Sequence, residues 1–362
     1  MIARFLAGAA AAALAAAPAF LFFKSVTPDA GFEPVPKAVG QTSVLRVRVN
    51  ARYGLRSLAA AVEQGAARVE ARRDWQANRW TFWRHPQSPE TVELPFRLSP
   101  KDGFKSGPAA LVLEAVSNDF RGKLVRHSHA VQVVLDPPRI SVVEDGILYI
   151  HQGGAALVKF NVSGGWSEAG VRAGPYSFRS WKRPGASSEE ERFSLFAFPW
   201  DVPAETAPVV FARDAAGNEA VATFKHKVFP KRWRRRTLDL DEAFLRKAVE
   251  EMNPPPGGAL LDRFLVINRE YRKQNNQALA DLRRKTAPEF LWTRAFRQLS
   301  NSQVEALFAD LRTYRYGGKE VDRQVHLGFD LSKTREAPVE AANRGKVVFA
   351  GRLGIYGNCI RS

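Results

Sequence analysis

Cysteine is almost absent: Cys359 is the only one in 362 residues. A single thiol excludes an intramolecular disulfide and any zinc site built on several cysteines, so the fold must be held by packing. Cys359 itself reads as a small apolar filler in a strand. Histidine is scarce as well, with six in the chain. Any site that needs imidazole must draw on His85, His127, His129, His151, His226 or His326. Acidic residues are outnumbered, 37 Asp and Glu against 54 Lys and Arg, which leaves a formal net charge of +17. That excess attracts polyanions: nucleic acid, anionic lipid or the acidic polymers of a bacterial envelope. There is no glycine-rich phosphate loop, and no Ser/His/Asp order suggests acyl transfer. What the sequence does have is 45% hydrophobic residues and eight Trp, enough for two or three folded domains.

Arg4 precedes an apolar run from Phe5 to Phe23 that is interrupted by Pro18 and closed by Lys24. The run approaches the roughly 20 residues that span a bilayer and exceeds the roughly 7–15 of a signal-peptide core. Ala15-Ala16-Ala17 suits a signal peptidase, but cleavage there would leave Phe20-Leu21-Phe22-Phe23 near the start of the mature chain. Residues 1–24 are therefore expected to be a membrane anchor, with a cleaved signal as the alternative. Either places the remainder outside the cytoplasm, in the bacterial cell envelope. The favoured form is a single-pass membrane protein with its bulk in the periplasm, which excludes nucleic acid as a partner.

Residues 25–42, with Pro28, Pro34 and Pro36, read as a linker. Period-two segments follow, among them Val44-Leu45-Arg46-Val47-Arg48-Val49 and Val131-Gln132-Val133-Val134-Leu135, separated by Gly, Asn and Asp turn clusters. The Ala-rich stretch Leu58–Val69 has helical propensity, yet its neighbours argue for a strand. Asp136-Pro137-Pro138 divides this β region. Residues 43–137 and 138–229 are thus expected to be two immunoglobulin-like β-sandwiches. The second closes on Asp214-Ala215-Ala216-Gly217-Asn218, whose Gly217 and Asn218 are suited to positive φ in a tight hairpin.

Lys231-Arg232-Trp233-Arg234-Arg235-Arg236 reads as a solvated linker, with electrostatic docking as its rival. Residues 230–316 are expected to be a helical connector. Its first helix is capped by Asp239 or Asp241 and stopped by Asn253-Pro254-Pro255-Pro256, with further helices near Leu260–Lys285, Pro288–Arg297 and Ser302–Leu311. Asn268–Lys285 is polar enough for a surface helix. Strand character returns in residues 317–362, with Lys346–Gly351 and Leu353–Asn358 as an antiparallel pair.

The candidate site lies in that last segment. His326 and Asp330 in Val325-His326-Leu327-Gly328-Phe329-Asp330 would stand about 13 Å apart on an extended strand. Sharing a metal requires a bend, which Gly328 permits. A His-x-x-x-Asp pair alone is a weak signal. His127-Ser128-His129 spells His-x-His, but it sits in the first β module and reads as two strand histidines.

His326-Leu327-Gly328-Phe329-Asp330-Leu331, Ala337-Pro338-Val339, Ala341-Ala342-Asn343-Arg344-Gly345-Lys346-Val347-Val348-Phe349-Ala350-Gly351 and Gly354-Ile355-Tyr356-Gly357-Asn358 together resemble the start of the lysostaphin-type (LytM-like) zinc peptidase domain. The tandem β modules and polar helices upstream are a looser match to membrane-anchored envelope members of that family. The resemblance implies a mainly β multidomain fold that ends in the incomplete start of a LytM-like β-sheet peptidase domain. It implies zinc as cofactor of the intact domain, with His326 and Asp330 as two of its ligands and zinc binding weak or absent in this chain, and peptidoglycan or another anionic envelope polymer as partner. It also implies a peptidoglycan endopeptidase activity in which the metal activates water and polarises the scissile carbonyl. The family's third ligand belongs to a His-x-His motif downstream of the Gly-Asn turn. With the sequence stopping at Ser362, the resemblance implies a C-terminally truncated and inactive domain. The alternative is a non-catalytic envelope adaptor that binds cell-wall polymer or a partner enzyme.

Overall fold

The computed structural model describes residues 18–76, 80–143, 145–287 and 289–362. These separate into two compact units, the first holding residues up to 150 together with 155–228, the second 151–154 together with 229–362. Most of the apolar run Phe5–Phe23, and with it the expected anchor or signal, lies outside the described residues. Residues 18–24 are helical, and among the described residues no helix is long and apolar enough to cross a membrane.

The alternating segments of the first unit become strands because alternation gives each one an apolar face to bury. On β3 (Thr42–Asn50), Leu45, Val47 and Val49 point inward while Arg46 and Arg48 stay in solvent. That strand pairs with β1 (Asp29–Phe32) and β6 (Glu90–Arg97). The facing sheet runs β2 (Ala38–Val39), β8 (Leu124–Val133), β7 (Gly107–Ser117), β4 (Leu55–Gln64) and β5 (Ala67–Asp74). Val47, Leu94 and Phe96 from one sheet meet Leu58, Leu113 and Val131 from the other in a single core. Strand β2 is parallel to β8, so the chain crosses from one sheet to the other between β1 and β2, as in immunoglobulin-like sandwiches.

Two expectations need correction here. The stretch 25–42 is not merely a linker: it supplies β1 and β2, with Ala30, Phe32 and Val39 buried in the module's core. Pro28 falls just before β1, and Pro34 and Pro36 fall between the two strands, where no ladder hydrogen bond is lost. The Ala-rich stretch forms not one strand but two, β4 and β5, which turn at Gly65 with φ 59°. Tertiary pairing overrides helical propensity there: Ala59 lies opposite Arg72 and Glu114, whose longer side chains shade a small one.

The second module stacks two four-stranded sheets. One is ordered β14 (Trp181–Lys182), β15 (Glu191–Ala197), β11 (Ala155–Ser163) and β9 (Arg139–Val143). The other is ordered β13 (Tyr176–Arg179), β12 (Trp166–Ala173), β16 (Val209–Asp214) and β17 (Glu219–Ala222). Phe160, Phe196, Val171 and Val210 fill the space between them. A short pair, β10 (Leu148–His151) with β18 (His226–Phe229), completes the set.

The Asp-x-x-Gly-Asn turn joins β16 to β17, as expected, and Gly217 takes φ 88°. Asn218 does not take positive φ; its amide has another task. Asp214 accepts from the Ala216 and Asn218 backbone N–H groups at 2.8 and 2.9 Å, which holds the turn. The Asn218 side chain then reaches the first module. Its Oδ1 accepts the Gln41 N–H at 2.6 Å and its Nδ2 donates to the Val134 carbonyl at 2.8 Å. The Ser43 hydroxyl donates to the Ala216 carbonyl at 3.1 Å. A Cβ on Gly40 would lie 2.7 Å from that same oxygen, so the seam requires glycine there.

In the second unit, β19 (Arg235–Leu240) runs parallel to β21 (Asp310–Tyr316), which forms an antiparallel hairpin with β22 (Lys319–His326). The crossover carries α1 (Glu242–Met252), capped by Asp241 Oδ1 on the Phe244 N–H at 2.7 Å, then α2 (Leu260–Val266), a π turn and α3 (Arg272–Asp281). Leu245, Phe264 and Tyr314 form the core between helices and sheet. Smaller pairs are β20 (Gln303–Ala306) with β23 (Asp330–Ser332), and β24 (Phe349–Arg352) with β25 (Asn358–Arg361), where Cys359 is half-buried.

The expected helices near 288–297 and 302–311 do not form: 289–300 is irregular, 303–306 and 310–316 are strands, and Pro288 lies outside the described residues. Sheet partners dictated these strands, and local propensity could not reveal them. The basic run is no simple linker either. Arg235 and Arg236 belong to β19, and Arg234 pairs with the buried carboxylate of Asp310. The expected boundary at 316/317 falls inside the β21–β22 hairpin, where Gly317 and Gly318 both take positive φ in a two-residue turn.

Candidate metal centre

The site begins with a change of sheet. Strand β22 ends at His326, the chain bends at Gly328, and β23 begins at Asp330. His326 stands opposite Asp310 in one sheet, and Asp330 stands opposite Ala306 in another. The bend cancels the separation that an extended strand would impose. His326 Nε2 lies 3.2 Å from Asp330 Oδ1.

That contact is not a hydrogen bond; the buried Nε2 makes none. Burial, reinforced by the Arg312 guanidinium, holds the imidazole below its ordinary pKa against the opposing pull of Asp330. A neutral imidazole with an unengaged ring nitrogen beside a carboxylate oxygen is a pair of metal donors. Two ligand atoms about 2.0–2.1 Å from a tetrahedral zinc ion are about 3.3 Å apart, close to the separation observed.

The remainder of the donor set falls short. Arg312 Nη2 donates to Asp330 Oδ2 at 3.2 Å, so one carboxylate oxygen already faces a cation. Among the described residues no group of three or more His, Cys, Asp or Glu is placed to hold a metal ion. His127 and His129 lie on β8 of the first module, where His129 packs edge-on against Phe32 at 5.8 Å. Among the described residues, the bend brings His326 and Asp330 together without a third His, Cys, Asp or Glu beside them.

No protein-family model matches the sequence, and no curated protein matches it. Among solved structures, a three-domain immunoglobulin fragment of titin is 12% identical, covers 59% of this chain and 72% of that one, and gives a TM-score of 0.20. The two immunoglobulin domains of Dpr2, solved in complex with DIP-Theta, are 11% identical over 56% of this chain and 99% of that one, at 0.23. An ICAM-5 ectodomain fragment is 16% identical over 56% of this chain, at 0.20, and the match spans about half of that fragment, 54%. Such scores carry no argument about function. The sheet order decides the class. The chain is mainly β and carries tandem immunoglobulin-like modules. No comparison supports the lysostaphin-type likeness, which rests on the residues of 325–360 and, more loosely, on the segments upstream.

Sequence reasoning missed the residues that shape the pair. Asp310, fully buried, accepts Arg234 Nε at 2.8 Å and the Leu307 N–H at 3.3 Å, and the guanidinium holds its carboxyl below the usual range. This fixes the loop before β21 and hence the strand that presents Arg312. On the helix side, Asp322 accepts from Asn268 Nδ2 at 2.7 Å, Arg269 Nε at 3.0 Å and Gln324 Nε2 at 3.0 Å. Burial pushes the Asp322 carboxyl up, but these hydrogen bonds outweigh it and the net shift is downward. The polar segment after Asn268 is a surface helix as expected, except that Asn268 itself is buried in this network. Its only sequence signal was an Asn at a position where helical periodicity wants an apolar residue.

Proposed function

We propose that the chain is an envelope protein of the lysostaphin-type zinc endopeptidase lineage, directed at peptidoglycan, with His326 and Asp330 as two protein ligands of its metal. The observation that carries this reading is the 3.2 Å approach of His326 Nε2 to Asp330 Oδ1 across a bend at Gly328. In a completed site zinc supplies Lewis-acid polarisation of a peptide carbonyl. Here the residues do less: His326 offers a neutral nitrogen, Asp330 offers charge, and Arg312 restrains Asp330. The test is the metal content of the purified full chain after zinc loading and desalting, beside clearance of purified cell walls. Zinc retention above background that is lost in both His326→Ala and Asp330→Asn, without wall clearance, is the expected result. Retention unchanged in both variants refutes the ligand assignment.

A second reading, a non-catalytic adaptor binding cell-wall polymer or a partner enzyme, is favoured by the Arg312–Asp330 pair and by the net charge of +17. Sedimentation of the full chain with purified peptidoglycan, weakened as salt rises, supports it. Wall clearance that depends on His326 overturns it.

A further inference from the structure

The first β module has a group of exposed aromatics where residues 18–24 join it. Leu21 is buried there in a small cluster with Tyr53 and Phe82. Around it, Phe23 is 83% exposed, Trp80 65%, and Phe20 and Phe22 about half. Cations of the group sit over aromatic faces: Lys24 Nζ lies 5.7 Å from the Phe20 ring centre, the Arg121 guanidinium 4.6 Å from that of Phe22 and the Arg52 guanidinium 5.5 Å from that of Tyr53. Arg121 also donates to the Ser25 carbonyl at 2.6 Å, and Val26 N–H donates to Asp119 at 3.0 Å, so the end of the helix is tied to the module. Trp80 lies 5.9 Å from Phe120, which packs against the same cluster.

We propose that this aromatic and basic collar is a membrane-interface surface, seated among the headgroups of anionic phospholipid. The inference rests on the reading of residues 1–24 as a membrane anchor and deepens it. Exposed Trp and Phe with flanking Lys and Arg form the composition that settles at the boundary between headgroups and hydrocarbon. The charges are complementary, since Lys24 is exposed and Arg121 half-buried beside the aromatics, while the nearby Asp119 is buried and hydrogen-bonded. Length points the same way. With Leu21 committed to the module, the sixteen positions from Phe5 to Phe20 fall short of the roughly 20 that span hydrocarbon. The shortfall closes when the module itself sits in the interface and its collar takes up the remaining depth.

The test uses the full chain reconstituted into phosphatidylethanolamine/phosphatidylglycerol vesicles whose acyl chains carry bromine near the headgroup. Tryptophan quenching is compared between the native chain, Trp80→Phe and Trp181→Phe, the last lying in the second module. The expected result is that Trp80→Phe loses about half or more of the quenching while Trp181→Phe keeps all of it. Equal quenching in the three proteins, all resisting carbonate extraction from the vesicles, overturns the collar and leaves the anchor standing; such a patch is then one for a protein partner. Release of the native chain by carbonate overturns both.

Discussion

Replacing Asn218 by Ala should unlatch the two β modules without unfolding either. The side chain makes three hydrogen bonds, to the Gln41 N–H, the Val134 carbonyl and Asp214 Oδ2 at 2.6, 2.8 and 2.7 Å, and it is 5% exposed. Two of these cross between the modules, and at about 0.5–1.5 kcal/mol net for each the truncation removes about 1–3 kcal/mol from the seam. The loss falls on the seam because both sandwich cores, around Phe96 and Phe160, are untouched. Hydrogen exchange of the full chain reads it directly. Opening made easier by about 1–3 kcal/mol speeds exchange of the Gln41 amide by about 5- to 160-fold, while the Val47 amide, inside β3, keeps its native rate. Gly40→Ala should give the same pattern through steric pressure, since its Cβ would press on the Ala216 carbonyl from 2.7 Å. A Gln41 amide that exchanges within threefold of native in Asn218→Ala would show that the seam is held by something other than this turn.

Two further outcomes concern the second unit. Asp310 and Asp322 are both held below their ordinary pKa, so their stabilisation is complete above the unfolded carboxylate value of about 4 and is lost as pH falls through the folded values. Acid titration of the full chain by tyrosine and tryptophan fluorescence should show a transition below about pH 4 that shrinks in Asp322→Asn; an identical transition in that variant refutes the assignment. The depressed His326 pKa has the same sign, its contribution fading as pH falls below about 6.5. Replacing Arg312 with Met should free Asp330 and tighten zinc binding by up to about fivefold, the scale of an ion pair worth about 0.2–1 kcal/mol when one partner is half exposed. The His326 proton resonances should then titrate at higher pH, and a titration that stays in place counts against Arg312 as the cause.

Much of the architecture was legible in residue order. Period two along Val44–Val49 identifies a strand with one buried face, Asp136-Pro137-Pro138 marks a module end, and Asp241 announces α1. What could not be read locally depended on partners far away in the chain. Residues 302–311 read as helix because nothing near them names β23, β22 or β19 as neighbours of the strands that form there. Asn218 was legible as a turn residue, but its real use, an amide reaching Gln41 and Val134, exists only once the two modules meet.

The sequence by itself determined that packing, not disulfides, holds the fold, that the chain is mainly β, and that His326 and Asp330 flank a glycine. Those properties follow from composition and from spacings of a few residues, which local chemistry fixes. Tertiary structure alone decided that the chain changes sheets at Gly328, that the bend brings Nε2 within 3.2 Å of Oδ1, and that Arg312 arrives from a neighbouring strand to hold the same carboxylate. Strand register sets those approaches, and register is a property of pairs of segments rather than of either segment alone.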